Sequence, residues 1–187
     1  MTYYGAKELA ASFRTVRKNT IQIAEDVPES KYDFRAAPET RSVAQTLVHI
    51  SMAPRFQLHV HKNRVTDLKT VNFPAIFQEV TAEEAKPRSK AEIVALLKSS
   101  GEEFATFLDG LSEEFLAERV TTPFGADPAV PASRSRFEML LGSKEHEMHH
   151  RGQLMLAERM IGLVPHLTRQ MQQRMAQAQA STGQPQR

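Results

Sequence analysis

The chain has 187 residues, of which 41% are hydrophobic and 25% charged, a globular rather than disordered composition. Lys and Arg number 24 against 22 Asp and Glu, and a net charge of +2 is no nucleic-acid footprint. Cys is zero, which excludes disulfides, thiolate metal sites, iron–sulfur clusters and a cysteine nucleophile; Trp is zero and aromatics are 7%, which argues against stacking platforms for single strands.

At the N-terminus, MTYYGAKELAASF carries no basic stretch followed by an apolar run, so no signal peptide is expected. Apolar runs are too short to span a membrane, and the expectation is a soluble cytoplasmic protein. From about Lys7 to Glu25, Leu9, Phe13, Val16 and Ile23, with Thr20 between, fall at helical spacing. Arg14, Arg17 and Lys18 on this segment read as solvated charge. Pro28 stops the helix, and Ser30 to Pro38 reads as an extended connector. Ser42 caps a second helix over about Val43 to Val65, in which Pro54 predicts a kink or a break.

Residues 66–88 read as a long connector, either functional or holding a short helix of its own. Ser89 and Glu92 form a capping box for a third helix, with Ile93, Leu96, Leu97, Phe104 and Phe107 on its apolar face. Ser112 to Arg119 is a short accessory helix. Thr121 to Ala132, with Pro123, Gly125, Pro128 and Pro131, is loop. A fourth long helix runs from about Ser133 to Met160, with Gly162 as its terminator. Residues 167–180 form a loosely attached helix, and Ser181 to Arg187 should be disordered. Strand-like alternation is almost absent. The pattern is an all-α four-helix bundle with long connections.

Seven histidines are the chemical resource. His146 and His150, at i and i+4, project from one helix face and together can ligate one divalent ion. On a helical wheel Phe137, Leu141, Met148 and Met155 share a face that reads as the core side. His146, His150, Gln153 and Ala157 lie nearly opposite, alongside Met139, and read as a cleft wall. His49, set in Leu47-Val48-His49-Ile50, is the best third ligand, against the alternative of a satisfied core histidine. Three imidazoles with open positions make a catalytic-type set. His59 and His61 are weaker candidates, His166 reads as surface, and His149 as a groove residue. His146-Glu147-x-x-His150 also matches the zinc-protease pattern, with Glu147 as general base. The context opposes this: Arg151-Gly152-Gln153 follows, Glu158 is too close along the helix to fold back, and no strand is there to pair a peptide. Glu147 otherwise reads as a solvated acid that orients a histidine. Glu147 and His149 are the candidate proton carriers.

Three stretches carry a resemblance. They are Val27 to Arg35 with Thr40-Arg-Ser-Val-Ala-Gln-Thr-Leu-Val-His-Ile50, His146-Glu-Met-His-His-Arg-Gly-Gln-Leu154, and Ile161-Gly-Leu-Val-Pro165. Through them the chain resembles the DinB-like family of metal-binding four-helix bundles, related to the YfiT-like thiol transferases. The resemblance implies a bundle over residues 1–165, with the Gln-rich residues 166–187 as an extension outside it. It implies one divalent ion, nickel or zinc, held by His49, His146 and His150, and a homodimer. It favours metal-dependent transfer of a low-molecular-weight thiol to a small electrophilic molecule, or hydrolysis by metal-activated water. The alternative is a non-enzymatic metal-binding stress-response module. A nucleic-acid partner and a membrane are not expected.

Overall fold

The structure, a computed structural model, describes residues 4–122 and 132–182. Four long helices form the bundle: α1 (Ala6–Asp26), α2 (Val43–Lys62), α4 (Lys90–Asp109) and α6 (Arg136–Met160). Between them lie α3 (Phe73–Ala85) and the short α5 (Glu113–Ala117), and α7 (His166–Thr182) follows. Strands β1 (Arg119–Thr121) and β2 (Ser133–Ser135) pair antiparallel, with Val120 opposite Arg134. Each of α1 and α2 packs on both α4 and α6, so α1 and α2 face each other diagonally across the bundle. No helix of the described residues is long and apolar enough to cross a membrane.

The helix starts follow the caps. Ser42, Ser89 and Ser135 each accept the backbone N–H three residues on, from Gln45, Glu92 and Glu138, whose side chains reach back in a capping box. Each such cap stabilises its helix by about 1 kcal/mol. The last helix of the bundle therefore begins after Ser135, and the Ser133 to Ser135 stretch read as its first turn is strand. Gly162 ends it with φ +88, and Leu163 N–H donates to Glu158 O at 2.8 Å, the wide hydrogen bond of a Schellman motif. Arg64, with φ +48, closes α2 in the same way through Val65 N–H to Val60 O at 2.9 Å.

The sequence reading needs correction at several places. The stretch expected to be extended, Ser30 to Pro38, starts in a 3-10 turn (Glu29–Lys31), after which buried Tyr32 donates to Ala24 O at 2.7 Å. The connector at 66–88 holds the 13-residue α3. Helix α7 extends through Ser181 and Thr182, which were expected to be disordered. The loop residues Pro123, Gly125, Pro128 and Pro131, and the last residues from 183, lie outside the described residues.

Arg17 is the largest departure. Far from solvated, it is 3% exposed at the centre of the bundle. Its Nε donates to both oxygens of Glu147 on α6 at 3.0 and 3.1 Å, and its Nη1 donates to Leu97 O and Ser100 Oγ of α4. Its Nη2 donates to Ile50 O at 3.3 Å. That last acceptor explains Pro54. A proline four residues on has no N–H for the Ile50 carbonyl, and α2 nevertheless runs unbroken because Arg17 supplies the missing donor. Gly101 makes room for it, since a Cβ there would fall 2.7 Å from Arg17 Cγ.

The core face of α6 also differs from the wheel reading. Its buried stripe is Leu140, Ser143, Glu147, His150, Leu154 and Ala157, while Met148 is exposed. Polar side chains, among them Glu147 with its partner Arg17 on α1, occupy a face that an apolarity count cannot see.

Candidate metal centre

Helix α2 brings His49 from its N-terminal half, and α6 brings His146 and His150 one turn apart. The three side chains offer ligand nitrogens that all lie within 4.8 Å of one another. His49 Nε2 and His146 Nε2 are 3.0 Å apart. The ring centroids stand 4.6 to 4.9 Å from each other.

Neighbouring side chains fix which nitrogen faces the cluster in two of the three rings, His49 and His150. His49 Nδ1 donates to Glu84 Oε1 at 2.8 Å, and Arg41 Nε donates to Glu84 Oε2 at 2.7 Å. Nδ1 thereby carries the proton, and Nε2 presents its lone pair. His150 Nδ1 donates to Gln153 Oε1 at 2.8 Å, and Gln153 Nε2 donates to His149 Nε2 at 3.1 Å. His146 Nδ1 is buried with no hydrogen-bond partner.

Burial pushes His146 down to about 4, helped by the like charge its histidine neighbours would carry. It also lowers His49 and His150, with Glu84 opposing the shift at His49 and Gln153 at His150. All three rings are neutral at pH 7, the form a metal requires. The donor set, three neutral imidazoles, fits a borderline divalent ion such as zinc or nickel and leaves coordination positions open.

Two cavities share this cluster. His49 and His146 wall one of about 610 Å³, together with apolar side chains of α2, α3 and α6. His150 walls another of about 620 Å³, with polar Arg41, Thr46, Thr81, Glu84 and Gln153. Helix α3 contributes to both and has no buried residue of its own.

The other candidates fall elsewhere. Glu147 is 2% exposed and occupied by Arg17, so it is neither solvated nor placed to act as a base at the cluster. His149 is exposed and touches the cluster by ring contact with His150 and through Gln153. His59 is exposed beside Asn63. His61 is buried between Gln57 and Arg136 and is pushed down to about 4, mainly by burial. His166 is buried, not surface: it is 3% exposed and bonded to Asn19. Glu84 was missed because it sits in the stretch read as connector. The available signal was Asn72 followed by Phe73-Pro74, a cap and an early proline that start α3.

The fold and this cluster define a helical bundle with an open three-histidine centre. A family model, the DinB superfamily, matches residues 12–154. The chain belongs to the DinB superfamily. No curated protein matches it. Among solved structures it is similar to a DinB-like protein from Bacillus subtilis, at 21% identity and a TM-score of 0.60, over 83% of this chain and 92% of that one. It is similar to YfiT from Bacillus subtilis, described as a probable metal-dependent hydrolase with an unusual four-helix bundle topology. That match has 13% identity and a TM-score of 0.66, over 87% of this chain and 91% of that one. A third is a mycothiol-dependent maleylpyruvate isomerase, at 14% identity and a TM-score of 0.60, over 80% of this chain but 62% of that one. At these identities the likeness is one of fold.

Proposed function

We propose that the chain is a metal-dependent enzyme that brings a low-molecular-weight thiol, or water, to a small electrophilic molecule. The observation that carries this reading is the cluster of three neutral imidazoles, His49, His146 and His150, opening onto two cavities. The same fold in a probable metal-dependent hydrolase and in a mycothiol-dependent isomerase supports it. A nickel or zinc ion in this donor set would supply Lewis acidity toward a thiol or water.

The chain's own groups do the rest. Glu84 and Gln153 hold the protons of His49 and His150 on Nδ1, away from the cluster. The protein has no cysteine, so any thiol is a co-substrate. In transfer, the thiol sulfur forms a carbon–sulfur bond, its proton leaves to solvent, and the leaving group departs with the electron pair. His149, exposed and in ring contact with His150, is the remaining candidate to take up that proton and release it to solvent.

The test is a reporter electrophile such as 1-chloro-2,4-dinitrobenzene, incubated with nickel- or zinc-loaded protein and a panel of thiols. Thiol-dependent acceleration that is lost in His146→Ala is the expected result. Thiol-independent hydrolysis of a nitrophenyl ester selects the water variant. Metal binding without turnover on either panel overturns the enzyme reading and leaves a metal-binding module. The homodimer implied by the resemblance belongs to the same proposal, and light scattering at the chain's 21.1 kDa or its double decides it.

A further inference from the structure

The cavity walled by His49 and His146 is larger than an ion and water require. Its volume of about 610 Å³ falls within the usual range of small-molecule sites. Met52, Phe56, Leu68, Phe73, Ile76 and Met139 make its walls apolar. The charged side chains at it are Arg55, Glu79, Arg134, Glu138 and Glu145, of mixed sign. Arg55 Nη1 donates to Glu79 Oε1 at 3.0 Å, and Glu138 Oε2 accepts from the Ser135 backbone N–H at 2.8 Å. Acidic and basic side chains both stand at the cavity, so its charge has no single sign.

Gly142 adds an independent observation. It lies in α6 one turn before His146, on the same helix face. Glycine is the poorest helix former after proline, so a mid-helix glycine that is not simply exposed, as Gly152 is, calls for a reason. Packing supplies it at Gly101 but not here, because a Cβ at Gly142 would meet nothing within 4 Å. Gly142 lines the cavity, and a side chain there would extend into that open space.

We propose that this cavity binds an uncharged, apolar small molecule beside His49 and His146, and that Gly142 keeps its floor open. The proposal deepens the enzyme reading by naming the class of the electrophilic substrate, and it rests on that reading for the chemistry alone. Binding itself needs no metal. The apolar walls remove the ligand's hydrocarbon surface from water, and the two histidines hold its reactive end at the cluster.

The test uses the metal-free full chain and N-phenyl-1-naphthylamine, a neutral aromatic probe whose fluorescence rises in apolar surroundings. Saturable one-site binding is expected. Gly142→Leu should weaken it at least tenfold with unchanged helical circular dichroism and no loss of thermal midpoint. Gly152→Leu adds the same bulk on an exposed turn outside the cavity, where a Cβ also meets nothing, and should leave binding unchanged. Ala53→Phe fills the cavity from α2 and is the second blocking variant. Non-saturable binding, or parental affinity in both blocking variants, overturns the proposal. Metal content, measured in parallel, reports on the enzyme reading separately, because the probe needs no ion.

Discussion

Glu84 accepts the Nδ1–H of His49 at 2.8 Å, joining two residues 35 positions apart. The contact ties α3, which has no buried side chain, to the histidine cluster. Arg41, at the same carboxylate, fixes the acid from its other side. A carboxylate behind a ligating imidazole sets its tautomer and raises its basicity.

Glu84→Ala is therefore expected to weaken metal affinity about 10- to 100-fold. Competition against a chromophoric chelator measures this directly. Glu84→Gln keeps an acceptor without the charge and should lose less. Because Glu84 itself packs on no core cluster, the unfolding midpoint should move little in either variant.

The Arg17–Glu147 pair is buried on both sides and joins α1 to α6. Arg17→Met leaves the Glu147 carboxylate and the Ile50 carbonyl without their donor, and should cost about 3–5 kcal/mol in urea unfolding. Replacing both partners, as Arg17→Met with Glu147→Leu, should cost clearly less than the single change, because no lone charge stays behind. A double variant as unstable as the single one would mean the pair is net stabilising.

Glu158 is fully buried, and neither carboxylate oxygen has a hydrogen-bond partner among the described residues. Burial, with Asp26 nearby, pushes it up to about 7 from 4.5. A raised folded value means the native state holds the proton more tightly. This contribution is present below pH 4.5 and is lost as pH rises through 7. His61 and His146, held at about 4 against an ordinary 6.5, act oppositely: their contribution is present above 6.5 and lost as pH falls through 4. The difference between parent and Glu158→Gln isolates the acid. Relative to the parent, the variant should gain stability from pH 5 to pH 8 in urea titrations. A difference that does not change with pH would contradict the assignment.

Much of the bundle is legible in the sequence because its signals are local. Serine caps, helical periodicity and Gly162 act within a few residues, and the i, i+4 spacing of His146 and His150 fixes a shared face. What escapes is set by distant partners. Arg17 and Glu147 read as surface charge because each is neutralised by a residue about 130 positions away. The extent of helix α3, where the sequence allows for only a short helix, escapes because its apolar side chains line a cavity, so no buried stripe marks it. Glu84 escapes with it. Pro54 reads as a kink or a break because nothing local reveals that Arg17 serves the carbonyl it orphans.

The central claim is that His49, His146 and His150 hold one divalent ion. Elemental mass spectrometry of untagged protein, beside a His49→Ala, His146→Ala double variant, tests it most directly. Near-stoichiometric metal in the parent and none in the variant is the predicted result. Background metal in both after reconstitution with nickel and zinc, or equal metal in both, would contradict it.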